Sequence, residues 1–204
     1  MEQSMNYNCH IFGPFLWQTS ITTELKNELL ERGLSHHKND HRHSLAGIID
    51  KEYKYSNEDT IWFSKKITTY VNEYLKLGYH HYNTNDAMQG LKMVSLESLW
   101  INVMEKGESN PMHGHDGDIS FVVYLDVPDE LIQENEDYNG RSSGPGKIDF
   151  HYGEYQKHFI SVYSFLPKTC DLLMFPANLK HSVNSYKSNV KRISISGNFK
   201  FIYE

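Results

Sequence analysis

The sequence predicts a mainly β fold in which two helices flank a jelly roll. In the first third of the chain apolar residues recur at helical spacing, whereas from about residue 91 they alternate with polar residues in short runs. Turn-rich stretches such as residues 139–146 separate these runs. Seven or eight short strands without intervening helices are typical of a sandwich, jelly roll or barrel.

The helical part has recognisable start and stop signals. Apolar residues at every fourth position from 21 to 29 predict a first helix, and Gly33 is expected to end it. A second helix is expected to begin at Ser56, where Asp59 three residues later forms a weak capping box, and to end at Gly78.

The chain of 204 residues suits one domain with a real core. We expect a helical part of about 15–80 to pack on a jelly-roll core of about 91–204. The segment 129–147 is acidic and then rich in Gly and Ser, so we expect a loop near one mouth of the barrel. The strands are predicted near residues 99–104, 120–128, 147–152, 159–165, 171–175, 182–186 and 192–203.

Charge and composition narrow the function. The net charge is −6 and no long basic block is present, which disfavours generic nucleic-acid binding but leaves a local basic groove open. The longest apolar runs are strand-sized, as at 171–176, so no membrane span is predicted. The first residues do not resemble a secretion signal, and two cysteines cannot form a disulfide framework. We therefore expect a cytoplasmic protein.

Histidine is abundant, with 12 in the chain, and two of them stand in one motif. Residues 110–118 read Asn-Pro-Met-His-Gly-His-Asp-Gly-Asp and precede a predicted strand. His113 and His115 would point to the same side of an extended backbone, with Gly114 leaving room for a ligand. Such a pair is often only part of a polar loop, but a later His181 that follows another strand strengthens the metal-site interpretation.

The last predicted strand has one polar and one apolar face. Arg192 and Ser194 would face one way, and Ile193 and Ile195 the other. If the apolar face packs against the helices, the guanidinium points into the barrel and needs an anionic partner. No acidic residue is adjacent in sequence, so a bound carboxylate is a candidate, with a structural ion pair as the alternative.

Taken together, these motifs resemble the phage- and marine-bacterial-type 2-oxoglutarate/Fe(II) oxygenases of the prolyl-hydroxylase-like superfamily. Each motif is weak alone, but their order is fairly specific. The matching segments are Trp100-Ile-Asn102, His113-Gly-His115, Ser120 to Pro128, Phe175-Pro176 with His181, Arg192-Ile-Ser194, and in the amino-terminal part His10 to Pro14 and Ser44 to Gly47.

The resemblance implies a double-stranded β-helix, which is a jelly roll with a cupin-like barrel, and a site that uses Fe(II), 2-oxoglutarate and dioxygen. It implies that His113 and His181 are iron ligands. Arg192 and Ser194 would hold the far carboxylate of 2-oxoglutarate, with help from Tyr124. A weaker pocket candidate is Asn102.

One position departs from the superfamily pattern. That pattern is His-x-Asp or His-x-Glu, whereas position 115 is His. We favour His115 as the third metal ligand because it holds the correct position, and Asp116 and Asp118 remain alternatives. A site of three histidines carries one less negative charge, which would make the iron more Lewis acidic.

The implied activity is hydroxylation of an unknown substrate, small-molecule or peptidyl, with conversion of 2-oxoglutarate to succinate. One alternative is a cupin-like metalloprotein, either an isomerase or a dioxygenase that does not use 2-oxoglutarate. Another is a jelly roll that only binds. The oligomeric state is not readable, and the resemblance leaves open a phage-encoded protein that acts in the host cell.

The remaining histidines are expected to be solvated. The cluster His36, His37, His41 and His43 lies among basic residues without a nearby cysteine, so we expect a solvated loop or one that folds over the barrel mouth. The same holds for His80, His81, His151 and His158, although His151 would line the pocket if its strand faces inward.

Overall fold

The computed structural model describes residues 13–35, 39–44, 46–82 and 89–204. The elements in chain order are β1 (Trp17–Ser20), α1 (Thr23–Ser35), a short 3-10 helix (Arg42–Ser44), β2 (Glu52–Lys54), α2 (Asn57–Tyr82), β3 (Leu91–Met104), β4 (Asn110–His113), β5 (Ile119–Asp126), α3 (Asp129–Glu136), β6 (Ile148–His151), β7 (Val162–Phe165), β8 (Asp171–Pro176), β9 (Lys180–Val183) and β10 (Arg192–Tyr203).

Two antiparallel sheets form the frame. The major sheet has six strands in the order β1-β8-β5-β10-β3-β2, and the minor sheet has four in the order β4-β9-β6-β7. Buried side chains of both sheets, among them Phe175 from β8 and Phe150 from β6, pack in one apolar cluster between them. The predicted mainly β class with flanking helices is confirmed. Within the described residues no strand pairing joins the two sheets, so they do not close into a barrel.

Helices α1 and α2 cover the outer face of the major sheet. Leu29 and Phe63 are fully buried there, and the ring of Phe63 lies 5.7 Å from that of Phe121, centroid to centroid. Arg32 and Asp59 join the two helices through an ion pair of 2.6 Å. Among the described residues, no helix is long and apolar enough to cross a membrane.

The predicted start of α2 is confirmed, but both predicted helix ends are wrong. The backbone N–H of Asp59 donates to Ser56 Oγ at 3.0 Å, and the Ser56 hydroxyl donates back to the Asp59 carboxylate at 2.6 Å. Gly33 lies inside α1 and Gly78 inside α2. At Gly33 a side chain would collide with Tyr55, so this glycine allows close packing rather than ending the helix.

The predicted loop at 129–147 is wrong in its first half, which forms α3. Acidic residues in the first turn suit the positive end of a helix, and Leu131 is completely buried beneath it. Residues 137–147 are irregular but tied down, for example by the side-chain amide of Asn135, which donates to the Pro145 carbonyl at 2.8 Å. Local apolar content was too low to predict this helix.

The strands after residue 90 mostly match their predicted positions. The predicted strand at 159–165 is shorter and begins at Val162, and the one at 182–186 lies earlier, at Lys180–Val183. Strand β10 has the predicted two faces. Ile193 and Ile195 join the core under the helices, while Arg192 and Ser194 line a cavity on the opposite face.

Candidate active site

All predicted site residues line one cavity between the two sheets. The minor sheet contributes side chains from β4 and β9, and the major sheet contributes side chains from β3, β5 and β10. The residues brought together are His113, His115, His181, Arg192, Ser194, Tyr124 and Asn102.

Three histidines form a compact cluster at one side of this cavity. His113 on β4 lies directly opposite His181 on β9, and His115 follows two residues after His113. The ring centroids are 4.4 Å apart for His113 and His181, 4.9 Å for His113 and His115, and 5.1 Å for His115 and His181. One ring nitrogen from each lies within 4.8 Å of the other two, a spacing that a single metal ion can bridge.

Backbone carbonyls orient two of the three rings. His113 Nδ1 lies 2.7 Å from the Pro111 carbonyl oxygen, and His181 Nδ1 lies 2.9 Å from the Leu179 carbonyl oxygen. A carbonyl oxygen only accepts, so each Nδ1 carries the proton and each Nε2 keeps its lone pair. This carbonyl-to-imidazole arrangement is the one that fixes the tautomer of histidines that ligate metals.

Burial keeps all three imidazoles neutral at physiological pH. It lowers the pKa of His115 to about 4 and that of His181 to about 3, with smaller repulsion from neighbouring histidines. The pKa of His113 is also lowered, chiefly by burial. Neutral imidazoles offer lone pairs to a cation, so the cluster is ready to coordinate without first losing protons.

The alternative ligands Asp116 and Asp118 lie outside this cluster. Asp116 is exposed. Asp118 Oδ2 accepts from the Phe201 backbone N–H at 2.7 Å and lies 3.7 Å from Lys200 Nζ. Among the described residues, the group of metal-ligating atoms therefore contains His115 and neither aspartate.

Arg192 is a buried cation that has no acidic partner in the described part of the chain. Its side chain is only 3% exposed, and no carboxylate of the described residues forms an ion pair with it. One guanidinium nitrogen donates to the Gly146 carbonyl at 2.9 Å, whereas Nε has no hydrogen-bond partner. Burial lowers its pKa, and the guanidinium carbon lies 5.6 Å from the centre of the Tyr124 ring. The alternative of a structural ion pair has no support here.

Neighbours of Arg192 extend a polar row across the major sheet. Ser194 lies opposite Asn102 on β3 and opposite Tyr124 on β5. All three are buried, and burial raises the pKa of Tyr124 to about 12, so its hydroxyl keeps its proton and can donate. The row therefore offers hydroxyl and amide donors beside the guanidinium.

Two further residues line the cavity that were not predicted from the sequence, Glu52 and Asn110. Glu52 on β2 is 1% exposed and lies opposite Asn102, which extends the polar row to the edge of the major sheet. Burial, with repulsion from Glu108, raises the pKa of Glu52 to about 7. Its sequence context, Lys51-Glu52-Tyr53-Lys54, is typical of a solvated strand, so only the packed structure reveals it.

The other histidines do not join the metal cluster among the described residues. The His41 ring packs at a tilt against Trp100, with ring centroids 5.9 Å apart, and Trp100 lines the cavity 5.7 Å from His115, so this part of the second histidine cluster lies next to a cavity-lining residue. His151 Nε2 lies 3.2 Å from the Ser182 hydroxyl and does not line the cavity. His36 and His37 lie outside the described residues, as do the side chains of His80 and His81.

Comparison with known proteins identifies a family whose description is consistent with this site. Residues 98–198 match the model of a family described as "Putative 2OG-Fe(II) oxygenase", where 2OG denotes 2-oxoglutarate. This segment contains every predicted site residue. No curated protein has a significant sequence match to this chain.

Solved structures share the fold at low sequence identity. A prolyl-4-hydroxylase from Pseudomonas putida is similar with a TM-score of 0.58 and 15% identity over 91% of both chains. The viral collagen prolyl hydroxylase of Paramecium bursaria Chlorella virus-1, solved with 2-oxoglutarate, has a TM-score of 0.57 and 13% identity over 92% of this chain and 96% of that one. HygX from Streptomyces hygroscopicus, solved with nickel and 2-oxoglutarate, has a TM-score of 0.53 and 9% identity over 91% of this chain and 82% of that one. These likenesses support the double-stranded β-helix fold.

The residues present suit both components that the family uses. Three neutral imidazoles are ligands that Fe(II) accepts. The unpartnered Nε of Arg192 offers a donor to a carboxylate inside the same cavity.

Proposed function

We propose that this chain, whose residues 98–198 match the model of a 2OG-Fe(II) oxygenase family, hydroxylates a substrate bound in the cavity between the two sheets. The observation that carries the proposal is the shared cavity, which is lined by three neutral histidines and by a buried guanidinium that has no acidic partner among the described residues. His113, His115 and His181 would hold Fe(II). When bound, Fe(II) and 2-oxoglutarate reduce dioxygen, so that one oxygen atom enters the substrate and the other enters succinate, with release of carbon dioxide.

Arg192, Ser194 and Tyr124 would bind the far carboxylate of 2-oxoglutarate. A guanidinium presents paired N–H donors to a carboxylate, and burial strengthens that charge-assisted contact. Tyr124 keeps its proton and adds a donor. Asn102 completes the wall between this anchor and the edge of the sheet.

The substrate is proposed to be a small molecule or a side chain of a peptide. We also propose a cytoplasmic location, since Cys170 is a free thiol of the kind that reducing compartments preserve.

The test is formation of succinate from 2-oxoglutarate by the protein with Fe(II) and ascorbate. We expect His113→Ala and His181→Ala each to lower the rate by more than ~100-fold, because loss of a direct ligand exceeds the effect of losing an outer partner. His43→Ala, which removes an exposed histidine outside the cluster, should leave the rate unchanged.

Two results would contradict the proposal. One is equal succinate formation in the wild type and both cluster variants. The other is bound metal with no binding of 2-oxoglutarate, which would favour a cupin-like metalloprotein that does not use it.

A further inference from the structure

One end of the cavity holds acceptor oxygens that lack donors. Glu52 Oε2, Asn102 Oδ1 and Asn110 Oδ1 are all buried, and none has a hydrogen-bond partner among the described residues. Leaving a buried acceptor unpaired costs about 1–3 kcal/mol, and more when the group is charged. An amide can rotate to present its donor side, but an ionised carboxylate has only acceptors, so Glu52 determines what this end can bind.

The three residues that carry these oxygens are neighbours at the edge of the major sheet. Glu52 and Asn102 are directly opposed on β2 and β3, so their side chains share the cavity face. A Cβ placed on Gly47 would lie 3.3 Å from Glu52 Oε1 and would collide with Asn110 Oδ1, so both oxygens flank the same glycine. Gly47 thus leaves room for them to approach each other.

Glu52 lies apart from the proposed 2-oxoglutarate anchor. Ser194 is two strands away from Glu52 along the same row, which corresponds to about 10 Å. Glu52 is therefore too far along the sheet to serve the carboxylate that Arg192 would hold, and it needs a different occupant.

The charges around Glu52 favour a cation. Glu108 and Asp40 repel its negative charge, and Arg42, which partly offsets this repulsion, is exposed and already paired with Asp40 at 2.7 Å. No lysine or arginine of the described residues forms an ion pair with Glu52. A buried carboxylate in acidic surroundings is stabilised by an incoming cation that also donates hydrogen bonds.

We propose that Glu52, with Asn102 and Asn110, binds the protonated primary amine of the substrate; this rests on the proposed function of the cavity. An ammonium group has three N–H donors, which matches the three unpaired acceptors. The substrate class is therefore an amine, present either as a free metabolite or as a lysyl side chain.

The test measures binding by calorimetry to protein loaded with Mn(II) and 2-oxoglutarate, so that no turnover is needed. The probe is n-pentylamine, and the uncharged match is pentan-1-ol. We expect the amine to bind at least ~10-fold more tightly than the alcohol, as a charged hydrogen bond requires. Glu52→Gln should lower amine affinity at least ~10-fold while the affinities for pentan-1-ol, Mn(II) and 2-oxoglutarate stay the same. Glu97→Gln, on an exposed position of β3, is the control and should change nothing.

Equal amine affinity in Glu52→Gln and wild type would overturn the proposal, as would no preference for the amine over the alcohol. If Mn(II) and 2-oxoglutarate bind in either case, the proposed function stands and only the amine site is rejected. If the wild type binds neither, both proposals fail. A blocked lysine as a third probe separates the sources: tighter binding than pentylamine supports a lysyl substrate, and weaker binding supports a free amine.

Discussion

The neutrality of the histidine cluster and the raised pKa of Glu52 have the same physical origin. Both lie between two sheets that exclude water, and desolvation disfavours the charged form of each group. For histidine this preserves a metal-binding lone pair, whereas for Glu52 it stores an unfavourable charge. The cavity therefore offers cation-binding groups both at the histidine cluster and at Glu52.

Glu52→Gln should stabilise the protein at pH 8 and have little effect at pH 5. The folded state raises the pKa of Glu52 to about 7 from the usual 4.5, so it binds this proton more tightly than the unfolded chain does. The wild type loses stability as pH rises between these values, by at most ~3 kcal/mol. Glutamine has no such proton, so the free energies of unfolding should diverge over this range. Urea unfolding of metal-free protein at both pH values measures the difference.

The control for this experiment is Glu97→Gln at an exposed position, and its free energy of unfolding should equal that of the wild type at both pH values. A gap between Glu52→Gln and wild type that stays constant from pH 5 to pH 8 would disprove the raised pKa.

At the residue scale, sequence reasoning found the groups that stand in motifs and missed those made by packing. His113 and His115 are recognisable because they are only two residues apart. Arg192 is recognisable because polar and apolar residues alternate along its strand. Glu52 is buried only because β2 pairs with β3 and because Ala46, Gly47 and Ile49 line the same cavity. Neither contact is visible in the residues around position 52.

Among the elements, α2 illustrates a boundary that side-chain chemistry determines. Its start depends on the reciprocal hydrogen bonds between Ser56 and Asp59, and Asp59 also pairs with Arg32 of α1. The cap therefore fixes the start of α2 and its contact with α1 together.

Ser56→Ala should lower the free energy of unfolding by about 1 kcal/mol, the usual cost of losing a helix cap. The Asp59 backbone N–H loses its acceptor, while the ion pair with Arg32 stays possible. Ser64→Ala, at a partly exposed serine inside the same helix, is the matched control and should be neutral or slightly stabilising. Urea unfolding compares the two, and equal stability of both variants would contradict the assigned cap.

Element ends and the third helix mark the limit of local prediction. Glycine after an apolar stripe is a common stop signal, but Gly33 is needed for the close approach of Tyr55 and the helix continues past it. Helix α3 has a single fully buried residue, Leu131, so its sequence lacks the apolar stripe that identified α1 and α2.

Across the whole molecule, the two sheets contribute different parts of the site. The minor sheet supplies His113 and His181, and the major sheet supplies Arg192, Ser194 and Tyr124. The mainly β class was predictable because strand alternation is a local signal. Which sheet supplies which site residue was not predictable, because that depends on which strands pair. The prediction of a single domain stays a prediction.

The most direct measurement of the central claim is the affinity of Mn(II)-loaded protein for 2-oxoglutarate in the wild type and in Arg192→Ala, by calorimetry. Loss of a charged hydrogen bond should weaken binding by at least ~1.5 kcal/mol, about tenfold or more, with Mn(II) affinity unchanged because the metal ligands lie on other strands. Lys191→Ala, the exposed neighbour, should bind 2-oxoglutarate like the wild type. Equal affinity in Arg192→Ala and wild type would contradict the account.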